Sequence, residues 1–261
     1  MSIKHYQSLA STSDELRRQV DMGEICEPFD AIMADYQSRG RGQVGNGWES
    51  ENGKNLLISV LAKPQGIDVS RQFIVSMAVS LATTDTIAPH LSQNLRSRLK
   101  IKWPNDIYVG DGKMVGILVE NRLSGRTIAD TIIGIGMNVN QEKFMSDAPN
   151  PVSIKQLTSQ SNDIATLADE LVLNLRLRLG QVDNQEDGTI MREYWNKLYR
   201  ADGQPHLFAD HGGNFMATMT SVAPDGRLTL ITTQGERRDY LFKEVEHVIR
   251  TKSGREVTPN L

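Results

Sequence analysis

From residue 11 the chain reads Ser-Thr-Ser-Asp-Glu, then places Leu16 and Val20 on one stripe, which predicts a capped helix. Residues 30–36 alternate loosely as a strand, and residues 55–61 form a short apolar strand. Four glycines within positions 40–47 leave no regular structure between them. Residues 71–88 carry apolar side chains at helical spacing up to Pro89, which cannot continue a helix. Leu99, Ile101 and Trp103 then alternate with Lys100 and Lys102, predicting a strand with one apolar and one basic face. Residues 107–109 and 113–122 flank Gly110-Asp111-Gly112 as a hairpin, and residues 127–135 return through Ser124-Gly125. Helical spacing resumes over 154–157, 163–179 and 190–199. Beyond Gly203, short strands over 215–222, 227–232, 237–242 and 245–250 are separated by Pro-Asp-Gly and Gln-Gly turns.

This pattern predicts an α+β chain. A mostly antiparallel sheet in the middle of the chain is followed by helical segments and then by a small β-barrel of about fifty residues, near the lower size limit for independent folding. The expected division is 1–202 and 203–261. A formal net charge of −3 argues against a protein whose task is gripping nucleic acid. The single cysteine, Cys26, cannot form an internal disulfide. The N-terminal residues are polar, and the longest apolar stretch, 73–82, is broken by serines and too short to span a bilayer. The expectation is a cytoplasmic protein with no DNA and no membrane partner.

Three segments carry chemistry. In Gly40-Arg41-Gly42-Gln43-Val44-Gly45-Asn46-Gly47-Trp48, glycines let backbone N–H groups approach an anion, Arg41 adds a fixed charge, and Trp48 offers a flat apolar surface. It is neither a Walker loop nor a dinucleotide fingerprint, and a surface loop has the same composition. In Lys102-Trp103-Pro104-Asn105-Asp106, Pro104 bends the strand end and presents an amide and a carboxylate, while Lys113 returns to the same region after the turn. Such a group suits phosphate and metal chemistry, although a turn with solvated lysines explains it equally. Gly134-Ile135-Gly136-Met137-Asn138-Val139-Asn140 has small residues that can line a nucleotide pocket or simply make a turn. The five histidines show no metal-like pairing.

In order and spacing, these segments resemble the biotin–protein ligase family over nearly the whole chain. The carriers are Ser11-Thr12-Ser13, the 40–48 loop, Lys102 to Asp106 with Lys113-Met114-Val115-Gly116-Ile117-Leu118, and Gly134 to Asn140. The resemblance implies a class II synthetase-like catalytic fold, a mixed, mostly antiparallel sheet flanked by helices, with an SH3-like C-terminal barrel. It implies Mg2+, with biotin and ATP as substrates, and a biotin carboxyl carrier domain as the acceptor partner. Ser11, Thr12 and Gln37 match positions that bind the ureido end of biotin. Gly40, Arg41 and Gly42 match the loop over biotin and the adenylate phosphate, Trp48 matches its apolar wall, and Gly116 leaves room for the biotin chain. Lys113 matches the lysine at the carboxylate and phosphate, with Arg41 on the other side of the same phosphorus. Asp106 matches the carboxylate that orients the incoming lysine. Asn105 and Asn138 match nucleotide or metal-side contacts; the metal ligands themselves are unassigned. Gln43 stands where the family often has an arginine that retains the adenylate, and Ser13 stands where it has Asn.

The segment at residue 11 leaves no room before it for the DNA-binding domain of family members that also act as repressors, so a monofunctional enzyme is expected. Both dimers and monomers occur in the family, so a homodimer stays open. The rival readings are a lipoate–protein ligase, which shares the fold and adenylate chemistry, and a non-catalytic biotin-binding module.

Overall fold

Residues 2–42, 47–145 and 149–250, with 256 and 257, are described by the computed structural model. Seven strands form the main sheet: β1 (Ile3–Leu9), β2 (Ala31–Gln37), β3 (Leu56–Ala62), β4 (Leu99–Lys102), β5 (Asp106–Val109), β6 (Gly112–Ser124) and β7 (Thr127–Met137). Their spatial order is β1-β2-β3-β7-β6-β5-β4. β1 lies parallel to β2, and every other neighbouring pair is antiparallel. The sheet is therefore mixed and mostly antiparallel, as expected.

Alternation along the strands builds two apolar faces. Ile32, Leu61 and Ile132 point to one face and pack with Leu16 and Ile25, so helix α1 (Thr12–Asp21) covers that side. Ala31, Met33, Ile58, Val60 and Ile133 point to the other face and join the main core. There α2 (Phe73–Ile87) lies between the sheet and α5 (Ile164–Asp183), and α6 (Asp187–Lys197) packs beside it. This position explains why α2 is buried nearly all round. Its serines and threonines do not interrupt it, because Ser80, Thr83 and Thr86 donate their hydroxyls to carbonyls one turn back. Two short helices, α3 (Gln93–Ser97) and α4 (Ile154–Thr158), complete the helical set among the described residues.

Five further strands follow: β8 (His206–Asp210), β9 (Gly213–Val222), β10 (Leu228–Thr232), β11 (Arg237–Tyr240) and β12 (Val245–His247). They form an antiparallel sheet in the order β11-β10-β9-β8-β12. Its hydrogen-bonded pairings leave β11 and β12 as edges, so the small β unit expected here is an antiparallel sheet whose edge strands are not paired with each other. A small pair, β13 (Ile249–Arg250) and β14 (Glu256–Val257), ends the described chain. The C-terminal sheet is bolted to the first. Trp103 Nε1 donates to the Gly226 carbonyl at 3.1 Å, Phe73 N donates to the Pro224 carbonyl at 3.2 Å, and Lys102 pairs with Glu246.

That last contact removes the solvated alternative for Lys102: its side chain is 2% exposed and its ammonium lies 2.8 Å from a Glu246 carboxylate that is 4% exposed. The C-terminal sheet has covered what would otherwise be the wet face of β4. No helix of the described residues is long and apolar enough to cross a membrane.

Candidate active site

Toward the middle of the sheet, the face covered by α1 loses its large side chains. Ser59 pairs with Gly134, Gly134 with Leu118, and Gly136 with Gly116. A cavity of about 740 Å3, including its open mouth, lies over these positions. The glycines are required by what sits on them. A Cβ at Gly136 would lie 2.5 Å from the Trp48 ring, one at Gly116 2.7 Å from it, and one at Gly134 2.6 Å from Ser13 Oγ. Trp48 therefore lies flat across the Gly116 and Gly136 positions, and the room expected above Gly116 for a ligand chain is taken by its indole. Its Nε1 is buried with no hydrogen-bond partner among the described residues.

One end of the cavity is a hydroxyl and amide network. Gln37 Oε1 accepts from Thr12 N at 2.7 Å and from Thr12 Oγ1 at 3.1 Å. Ser59 Oγ bridges Thr12 Oγ1 at 2.8 Å and Ser13 Oγ at 2.9 Å. Ser11 also lines the cavity, and its side chain caps α1 by accepting from Asp14 N. The helix cap and this part of the cavity lining therefore come from the same segment. The start of a helix places three small polar side chains against the floor.

At the other end, the bend at Pro104 brings Asp106 beside Lys113, with the ammonium 2.5 Å from the carboxylate. Lys102, Trp103, Pro104 and Phe242 line the same end, the last contributed by the C-terminal sheet region. Phe242 meets Trp103 edge-on, with ring centroids 6.3 Å apart.

Arg41 and Gly42 line this cavity too. The guanidinium, however, is held by two carboxylates: both oxygens of Glu120, at 3.0 and 3.2 Å, and Asp14 at 2.8 Å. Glu120 lies seven residues along β6 from Lys113, roughly 20 Å of strand. The two cations thus line one cavity, and in this structure each is paired with carboxylates, Arg41 with Glu120 and Asp14 and Lys113 with Asp106. Gly40 closes the loop base, its carbonyl accepting from Trp48 N at 3.0 Å, and a Cβ there would strike the Trp48 carbonyl at 2.8 Å. Asn105 and Asn138 are buried and are not among the lining residues; Asn138 Oδ1 has no hydrogen-bond partner among the described residues. Gln43 lies outside the described residues.

The sequence reading missed Ser59, Asp14, Glu120 and Phe242. Ser59 sits in an unbroken apolar run, and only its position on the α1 face singles it out. Glu120 carries a signal only once Arg41 is known to lie across β6 from it.

Residues 10–138 match the model of the biotin/lipoate A/B protein ligase family. A biotin--[acetyl-CoA-carboxylase] ligase of Mycobacterium tuberculosis is 30% identical over 201 residues, covering 76% of this chain and 72% of that protein. The chain belongs to the biotin protein ligase family. The bifunctional ligase/repressor BirA of Escherichia coli is 33% identical over 180 residues, 68% of this chain and 53% of that protein. The chain spans between about half and about seven tenths of the length of the bifunctional relatives it matches. The fold agrees as well. The biotin protein ligase of Aquifex aeolicus, in complex with biotin and ATP, superposes with a TM-score of 0.75 at 20% identity, covering 94% of this chain and 99% of that one. Within the family the Ser-Thr-Ser, glycine-loop, Lys-Trp-Pro-Asn-Asp and Lys113 segments all border one cavity here.

Proposed function

We propose that this family member is a biotin–protein ligase, joining biotin to ATP as biotinyl-5'-AMP and then passing biotin to a lysine of a biotin carboxyl carrier domain. One observation carries the reading. A single cavity has a neutral hydroxyl and amide network at one end and a lysine–carboxylate pair at the other. Biotin has matching ends, a neutral ureido ring and a carboxylate. Relatives that are biotin--[acetyl-CoA-carboxylase] ligases support both the vitamin and the carboxylase acceptor.

In the first step a carboxylate oxygen of biotin attacks the α-phosphorus of MgATP. A C–O–P anhydride forms and the bond to pyrophosphate breaks. Lys113 stabilises the negative charge that builds on the α-phosphate oxygens, and it does so best in a site that excludes water. In the second step the amine of the acceptor lysine attacks the biotinyl carbonyl. The C–N bond forms, AMP leaves, and the amine proton passes toward the Asp106 carboxylate, which also orients the nucleophile. Magnesium arrives with the nucleotide; no group of three or more His, Cys, Asp or Glu that could hold an ion occurs among the described residues. Asn105 and Asn138 support the nucleotide end from beneath the floor, and Gln43 weakens retention of the adenylate where an arginine would hold it. Ser11, Thr12 and Gln37 bind the ureido ring, with Ser59 orienting the two hydroxyls beside it. Residues 1–202 form the catalytic unit and 203–261 a C-terminal unit that supplies Phe242. The enzyme works in the cytoplasm.

Incubation with biotin, MgATP and a carrier domain should add one biotinyl group to the acceptor by mass. Lys113→Ala should abolish pyrophosphate release while biotin still binds. Faster pyrophosphate release with lipoate than with biotin would favour a lipoate ligase. Biotin binding without any adenylate in the wild-type protein would leave a binding module.

A further inference from the structure

The Arg41 guanidinium is bound on both sides by carboxylates from two different elements, Asp14 on the first turn of α1 and Glu120 on β6. The same outward side of α1 carries Arg17 and Asp21, which pair with Asp130 and Arg122 of β7 and β6. Asp130 is buried between Arg17 and Arg122. Arg41 thus adds one more cation to a ladder of alternating charge that fastens α1 to the sheet.

Arg41 also begins a short backbone ladder. It bridges Gly47 in antiparallel fashion, and Gly40 and Trp48 are hydrogen-bonded beside it. Trp48 in turn lies over Gly116 and Gly136. A continuous path therefore runs from two carboxylates, through one guanidinium and a two-residue backbone pairing, to the aromatic ring that forms the cavity wall.

We propose that Asp14 and Glu120 are positioning residues that act through Arg41. They hold its side chain at the helix end of the cavity, so that Arg41 serves as an anchor for the backbone of residues 40–42 and for Trp48. It does not serve as a charge on the α-phosphate. The kinetic part of this inference rests on the biotin-ligase reading. The pairs are partly exposed, the guanidinium being 41% accessible, so each contributes modestly and two together are worth about three- to tenfold in binding.

The test compares Arg41→Ala, the double variant Asp14→Asn/Glu120→Gln, and the triple combination. The double variant should raise KM for biotin about three- to tenfold, with kcat for biotin-dependent pyrophosphate release held near wild type at saturating biotin. Arg41→Ala should do the same, and the triple should be no worse than either, because all remove one anchor. In the absence of substrate, the part of the tryptophan emission that Trp48→Phe removes should shift toward the solvated wavelength in the double variant. The proposal is overturned if Arg41→Ala cuts kcat while the double variant keeps the wild-type biotin KM and the wild-type emission. A wild-type protein that makes no adenylate would defeat the biotin-ligase reading alone, because the emission comparison needs no catalysis and still decides the anchor.

Discussion

Replacing Gly136 by alanine places a Cβ 2.5 Å from the Trp48 ring, whereas the same change at Gly134 meets only the hydroxyl of Ser13 at 2.6 Å. The two neighbours differ in how readily they can yield. A hydroxyl rotates about one bond, but the indole is wedged between the floor and the loop base that carries it. Gly136→Ala should therefore displace Trp48, raise KM for biotin about tenfold or more, and shift Trp48 emission. Gly134→Ala should change biotin KM much less and leave emission where it was. Equal effects at the two positions, measured by the same assays, would mean that Trp48 is not held against Gly136. At this scale the motif residues were legible in the sequence, because Lys102 to Asp106 and Lys113 are spaced by a bend and a tight turn. The direction of a side chain was not. Arg41 pairs here with Asp14 and Glu120, which are 27 and 79 residues away in the chain.

Elements built from strong periods were read well. The apolar strand at 55–61 is β3, shifted by one residue, and the helix at 71–88 is α2 within two residues at its start. β1 was missed for a physical reason. It is an edge strand with only Ile3, Tyr6, Ser8's neighbour Leu9 partly buried, so neither a period of two nor a continuous apolar run marks it. β8 was missed as well, since its burial comes from packing against sheet partners on both sides. The helices carry their own start signals. Ser153 and Gln156 form a reciprocal capping box at α4, each side chain bonded to the other's backbone N–H at 3.1 Å. Ser153→Ala should lower unfolding free energy by about 1 kcal/mol in urea titration, with biotin KM unchanged, since α4 lies outside the cavity lining. A change in KM would show that α4 reaches the site through Asn138, whose carbonyl accepts from Ile154 N.

At the scale of the whole molecule, the buried Lys102–Glu246 pair joins the two sheets. Removing one member leaves an uncompensated buried charge, which costs about 3–5 kcal/mol. Glu246→Ala should therefore lower unfolding free energy by that order, while Glu246→Gln, which keeps a hydrogen-bond acceptor, should lose less. Beside it, His247 is fully enclosed, with its ring 4.7 Å from that of Phe208 and 5.5 Å from that of Tyr199. Burial holds its pKa well below the ordinary histidine value, and the charges of Lys102, Arg200 and His206 add to the effect. The unfolded chain then binds a proton that the folded chain refuses. Stability is present above the unfolded value of about 6.5 and is lost as pH falls through it. Thermal unfolding should move to lower temperature between pH 7.5 and 5.5, and His247→Phe should flatten that dependence. An identical slope in the variant would assign the pH response to other groups.

The same bolt has a temporal consequence. A ribosome makes the strand bearing Lys102 well before it makes Glu246 and Phe242, so a nascent chain holds a lysine with no counter-ion and a pocket open on one side. The Phe242 side of the cavity is therefore lined, and the Lys102 ammonium paired, only once the last part of the chain has been made.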